Sequence, residues 1–156
     1  MPLFFEPVSI DRQKDYLDLL ARCPQVASDY SFLNVWAWAE EYGLLWAWDG
    51  PLAWLKQTRP QEALWAPVGP WDSIEWDFER VTGAAGGSVF IRVPERLAEI
   101  WQSRFGQRVR VEPERGHWDY LYAARDLIEL PGNRFHKKKN LYNQFVKSYN
   151  YTYIDF

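Results

Sequence analysis

The chain has 156 residues, a net charge of −3, 47% hydrophobic and 25% charged residues, which describes an ordinary globular domain able to bury one core without staples. No apolar run approaches the roughly 20 residues that span a bilayer, and MPLFFEPVSIDRQ has no basic region followed by an apolar stretch, so a soluble, cytoplasmic protein is expected. The single cysteine, Cys23, forms no internal disulfide and has no companion thiol or His cluster, which predicts a reduced compartment and no metal site.

Ser9, Ile10 and Asp11 offer cap chemistry to a first helix through Tyr16–Leu20, which Pro24 ends. A second helix is predicted to open at Ser28 and Asp29. Its Phe32, Val35, Trp36, Ala39 and Tyr42 recur at helical spacing, and Gly43 stops it. LLWAW and LAWLKQ flank Asp49-Gly50-Pro51, a hairpin signal, and ALWAPV reads as a third strand. Trp71 to Val81 reads as a helix with a glycine-rich exit at Gly83–Gly87. SVFIRV then reads as a buried strand, and Pro94 suits the N1 position of a helix ending at Gly106. RVRVE and WDYLYA are predicted to be two further strands.

Helices packed on a mostly antiparallel sheet follow from this order, an α+β class. Ten tryptophans are the compositional anomaly; such aromatics fill cores and interfaces or stack on bases and sugars, and because most, including Trp36, Trp46, Trp48, Trp54 and Trp65, fall in segments read as regular structure, core and interface packing is expected.

Charge is unevenly spread. Up to Asn133, 13 Lys and Arg face 20 Asp and Glu; from Arg134 on, five face one. A basic end on an acidic protein points to an anionic or domain-sized partner. In this segment Pro131-Gly132-Asn133 breaks the chain and Asn133 is a cap for a helix starting at Arg134. Phe135, Leu141, Tyr142, Phe145, Val146 and Tyr149 gather on one apolar stripe, with Arg134 and Lys138 inside it and Lys139 at its edge. A helix N-terminus favours anions, so these cations are misplaced for an isolated helix. Two readings stand. Either the long stems snorkel and the heads are solvated, or an acidic or phosphate-bearing partner meets them. His136 has no companion His or Cys and reads as a surface residue. Asp119, Tyr120 and Tyr122 are weak candidates for a cleft at a strand end, although alternating aromatics on a strand are commonly packing.

The element order resembles the GCN5-related acyltransferase fold, whose coenzyme A users hold the pyrophosphate on a glycine-rich turn after the third meander strand. Here that turn reads Ala66-Pro67-Val68-Gly69-Pro70-Trp71-Asp72. Two prolines remove N–H donors and Asp72 adds a negative charge, so no coenzyme A and no other cofactor is expected. Gly83–Gly87 precedes a strand rather than a helix and reads as a connecting loop.

Three stretches resemble the bacterial phosphatidylglycerol lysyltransferase C-terminal-domain family: SDYSFLNVW from Ser28, DYLY from Asp119, and LPGNRFHKKKN from Leu130. The resemblance implies two acyltransferase-like halves in tandem. Residues 1–130 would be the first, and 131–156 a basic connecting helix and strand leading to a second half, the terminal run Tyr151–Phe156 looking like a strand cut from its continuation. It further implies aminoacyl-tRNA-dependent transfer by the whole protein, with this half non-catalytic or partly catalytic and inactive by itself. Arg134, Lys137, Lys138, Lys139 and Asn140 would contact tRNA phosphate or the second half. A coenzyme-A-dependent N-acetyltransferase with a degenerate loop, and a non-enzymatic interaction module, are the alternatives.

Overall fold

A computed structural model describes residues 3–85 and 89–154, which divide into two compact units, Met1–Asp119 and Tyr120–Phe156. The first unit is a mixed α+β fold on a five-stranded sheet in chain order: β1 (Glu6–Pro7), β2 (Leu45–Asp49), β3 (Leu52–Gln57), β4 (Ala63–Trp65) and β5 (Phe90–Ile91). Three pairings are antiparallel, and β4 with β5 is parallel. The hairpin signal at 49–51 is met: Asp49 pairs with Leu52 across Gly50 and Pro51, and Gly50 takes φ +58 at the first central position, which a II′ turn reserves for glycine.

Register explains why β3 is apolar almost throughout. Trp46 opposes Leu55 and Ala47 opposes Trp54, so the two tryptophans point to opposite faces. On one face α1 (Gln13–Leu20) and α2 (Phe32–Ala37) bring Tyr16 and Phe32 together, and Tyr16 stacks 6.1 Å from Trp46. On the other, α5 (Glu95–Phe105) sets Trp101 4.9 Å from Phe90, which lies 6.4 Å from Trp54. A strand covered on both faces has no solvent side to keep polar. Its buried polar residue, Gln57, accepts the Trp65 indole N–H at 2.9 Å and donates to the Gln61 carbonyl at 3.1 Å.

The first helix forms as expected after a 3-10 turn, Ile10–Arg12, whose Asp11 N–H bonds the Ser9 hydroxyl oxygen. The single second helix is corrected to three pieces: a 3-10 turn at Ser28–Tyr30, α2, and α3 (Ala39–Tyr42) beyond a break at Trp38. Ser31 rather than Ser28 is the cap, because its hydroxyl oxygen accepts the Asn34 N–H while Ser28 is held elsewhere. Gly43 ends the run at φ +56.

The helix expected from Trp71 starts later. Residues 71–73 form a 3-10 turn, the Trp71 indole donates to the Pro67 carbonyl and the Trp76 indole to the Trp71 carbonyl, and such side-chain bonds compete with helix. Asp77 accepts the Glu79 and Arg80 N–H groups and opens α4 (Phe78–Ala85). Gly83 therefore lies inside the helix, and Gly86 and Gly87 of the expected exit loop lie outside the described residues. Among its described residues SVFIRV contributes Phe90–Ile91 to the sheet, and Pro94 is the cap of α5 rather than its first residue.

The strands expected at RVRVE and WDYLYA do not form. Their residues pair with no sheet edge among the described residues, and aromatic alternation makes a ladder only where backbone partners exist. In the second unit the sequence reading missed α6 (Ala124–Glu129), and Tyr151–Ile154 form no strand.

Candidate functional site

In the second unit, α6 ends at Leu130, a non-glycine residue at φ +46, and Gly132 at φ +71 turns the chain into a 3-10 turn, Asn133–Phe135. That turn leads into α7 (His136–Ser148). Asn133 is not the cap; Gly132 stands there, and neither start has a side-chain cap. Arg134 is the exception among the basic residues, because it forms an ion pair with Asp126 and lies 4.6 Å over the Phe135 ring. An acid eight residues earlier answers one misplaced cation. Lys137, Lys138, Lys139 and Asn140 stand exposed on the first turn of α7, which has no acidic residue, and the three lysines form no ion pair among the described residues. The stripe of Leu141, Tyr142, Phe145, Val146 and Tyr149 is exposed as well.

Of the cleft candidates, Asp119 has a partner within the first unit. Asp119 accepts the Ser28 N–H at 2.7 Å and its hydroxyl at 2.5 Å, so the carboxylate anchors a turn. Tyr120 and Tyr122 are exposed.

The turn after β4 leaves no N–H free to cradle an anion from Ala66 to Trp71. Ala66 N–H donates to the Tyr30 hydroxyl, Val68 to the Ala53 carbonyl, Gly69 to Cys23 Sγ and Trp71 to the Gly69 carbonyl, while Pro67 and Pro70 have none. Asp72 is engaged by Arg96 at 2.8 Å. Beside this turn an open groove of about 590 Å³ runs between Trp71–Trp76 and the Arg96, Ile100, Arg104 face of α5. Among the described residues no group of three or more His, Cys, Asp or Glu could hold a metal.

A cluster that the sequence reading passed over sits where β4 and β5 part. Their parallel ladder runs to Trp65 and Ile91 and then opens. The buried Tyr30 hydroxyl fills the opening, accepting the Ala66 N–H and donating to the Arg92 carbonyl, each at 2.9 Å. Burial drives its pKa far above the ordinary tyrosine value. Arg92 itself adopts φ +55, and its Nη1 donates to Asp29 at 2.6 Å. Its guanidinium lies 4.7 Å from the Trp65 ring and 5.5 Å from Tyr42. The signal was present: Arg92 is a charge at the end of an apolar strand.

The family profile described as phosphatidylglycerol lysyltransferase, C-terminal, matches residues 20–156. The chain belongs to this phosphatidylglycerol lysyltransferase C-terminal family. A similar fold is found in the crystal structure of a conserved protein of unknown function from Bacteroides thetaiotaomicron VPI-5482, with a TM-score of 0.78 and 20% identity over 94% of this chain. This family member covers 51% of that protein, and so spans about half its length. No curated protein matches the sequence. No helix among the described residues is long and apolar enough to cross a membrane.

Proposed function

We propose that this chain is the first half, residues 1–130 with the connecting segment 131–156, of a tandem acyltransferase-like protein that transfers an aminoacyl or acyl group, with charged tRNA as the donor. The observation that carries the reading is the first turn of α7, where Lys137, Lys138 and Lys139 stand exposed beside Asn140 with no acid in the turn. Three like charges at the positive end of a helix dipole repel one another and are relieved by an anion. Phosphate of tRNA supplies one, and an acidic face of the second half supplies another. Arg134, tied to Asp126, fixes the segment from which they project.

The parallel β4–β5 pair with its crossover helix α4 supports an acyltransferase-like ancestry, and the sealed turn at 66–71 supports a half that holds no coenzyme A. The coenzyme-A-dependent N-acetyltransferase alternative has no such support. Calorimetry with acetyl-coenzyme A showing no saturable binding is the expected result.

The direct test is filter binding of tRNA to the whole protein over a range of salt. Each lysine that neutralises a phosphate contributes about −0.9 to the slope of log affinity against log salt on duplex regions. Changing Lys137, Lys138 and Lys139 together to Ala should flatten that slope and weaken binding. Equal affinity and slope in the triple variant would remove tRNA from the proposal. Failure of the separately expressed halves to associate would then favour a stand-alone interaction module.

A further inference from the structure

The guanidinium of Arg92 is underused by the protein that holds it. Among the described residues Nη1 alone has a hydrogen-bond acceptor, Asp29 Oδ2, and Nε is buried without any partner. Arginine carries five N–H donors, and a buried charged donor left unsatisfied is costly. The backbone adds to that cost, because φ +55 is a left-handed conformation that residues with a Cβ rarely adopt. A partly buried ion pair is poor compensation for both, since apolar residues of similar size commonly serve stability as well or better. Strain of this kind concentrates at functional sites.

Position argues the same way. Arg92 follows β5 at the carboxyl end of the one parallel pair in the sheet, where the two strands separate, and crevices outside the carboxyl ends of parallel strands are where α/β folds bind ligands. The side chain is 13% exposed and Asp29 30%, so the pair meets solvent at its Asp29 end. Trp65 and Tyr42 line the guanidinium with aromatic surface, which lowers the local dielectric and strengthens any bond it makes.

We propose that Arg92, framed by Asp29, Tyr42 and Trp65, is the anchor of an oxyanion-binding site that takes the carboxylate or phosphate group of a small ligand through the donors Asp29 leaves free. Asp29 acts as the internal counter-ion. It holds the guanidinium in place and weakens the site until a ligand oxyanion competes. This site lies within the first unit and is independent of the lysines of α7.

The test is a titration of the ¹⁵N-labelled chain with inorganic phosphate and, separately, acetate, following the Arg92 Nε–H resonance and the amides of residues 65, 66 and 92. A saturable shift with either anion is expected, and the anion that saturates identifies the group as phosphate or carboxylate. Arg92→Gly removes the guanidinium but accepts φ +55, so it should stay folded and lose the shift. Asp29→Asn removes the competing carboxylate and should tighten binding about tenfold, the factor that corresponds to one unit of log affinity. Unsaturable shifts that persist in Arg92→Gly would overturn the proposal. So would an Asp29→Asn variant that only loses stability, which would make the pair purely structural.

Discussion

Asp119 holds Ser28 with both carboxylate oxygens, Oδ2 on the backbone N–H at 2.7 Å and Oδ1 on the hydroxyl at 2.5 Å. The bond joins residues 91 positions apart and fixes the end of the first unit to the turn that carries Asp29 and Tyr30. Asp119→Ala should therefore cost stability, about 1 kcal/mol by analogy with loss of a helix cap. Urea unfolding measures it. A variant as stable as the parent would return Asp119 to the list of residues available for chemistry.

Tyr30→Phe tests the bridge between the parting strands. The ring still packs, but the Ala66 N–H and the Arg92 carbonyl lose their partner in a buried place. A cost of roughly 1–3 kcal/mol is expected for such orphaned groups. Tyr30 also gives a pH signature. Its folded pKa is raised by burial above the ordinary value of 10.0, so the protonated form is favoured in the native state. Its contribution is complete below pH 10 and declines as pH rises beyond it, because the unfolded chain ionises first. The wild type should lose stability above pH 10 more steeply than Tyr30→Phe.

Cys23 should react slowly with alkylating agents. Burial raises its thiol from the ordinary 9.0 to about 11, although the Gly69 N–H donating to Sγ at 3.1 Å works in the opposite direction. As the single cysteine it gives an unambiguous readout. The rate of iodoacetamide labelling should rise with a midpoint about pH 11, and a midpoint near 9 would mean that the thiol is solvated.

Gly50 and Gly69 both have positive φ and should respond differently to alanine. At Gly50 a Cβ meets nothing within 4 Å, so the substitution costs the left-handed conformation alone, about 1–2 kcal/mol. At Gly69 it would lie 2.3 Å from the Pro51 carbonyl oxygen, a backbone atom that has no rotamer to escape with. Thermal unfolding should rank Gly69→Ala well below Gly50→Ala.

Much of the first unit was legible in local patterns. The Asp49-Gly50 turn, the aromatic runs on either side, the first helix through Tyr16 and the Gly43 stop each encode a local geometry, and all of them appear. The mixed α+β class follows from that order, because periodicity and turn chemistry are properties of short segments, and the family likeness rests on the resemblance of the three quoted stretches. The basic turn of α7 was readable for the same reason.

The rest was decided by side-chain partners that no local periodicity or turn signal names, some near in sequence and some far. Ser28 is held by Asp119 and leaves the cap to Ser31, Trp71 and Trp76 bonded loop carbonyls instead of entering a helix, and Arg134 found Asp126. RVRVE and WDYLYA, two segments of strand composition, have no ladder among the described residues, since hydrogen-bonded pairing belongs to two strands and never to one. Arg92 shows the same limit most clearly. Its charge at the end of SVFIRV could be read from the residues alone, but its left-handed backbone, its bond to Asp29 and its place at the parting of β4 and β5 exist only once three distant segments have folded together.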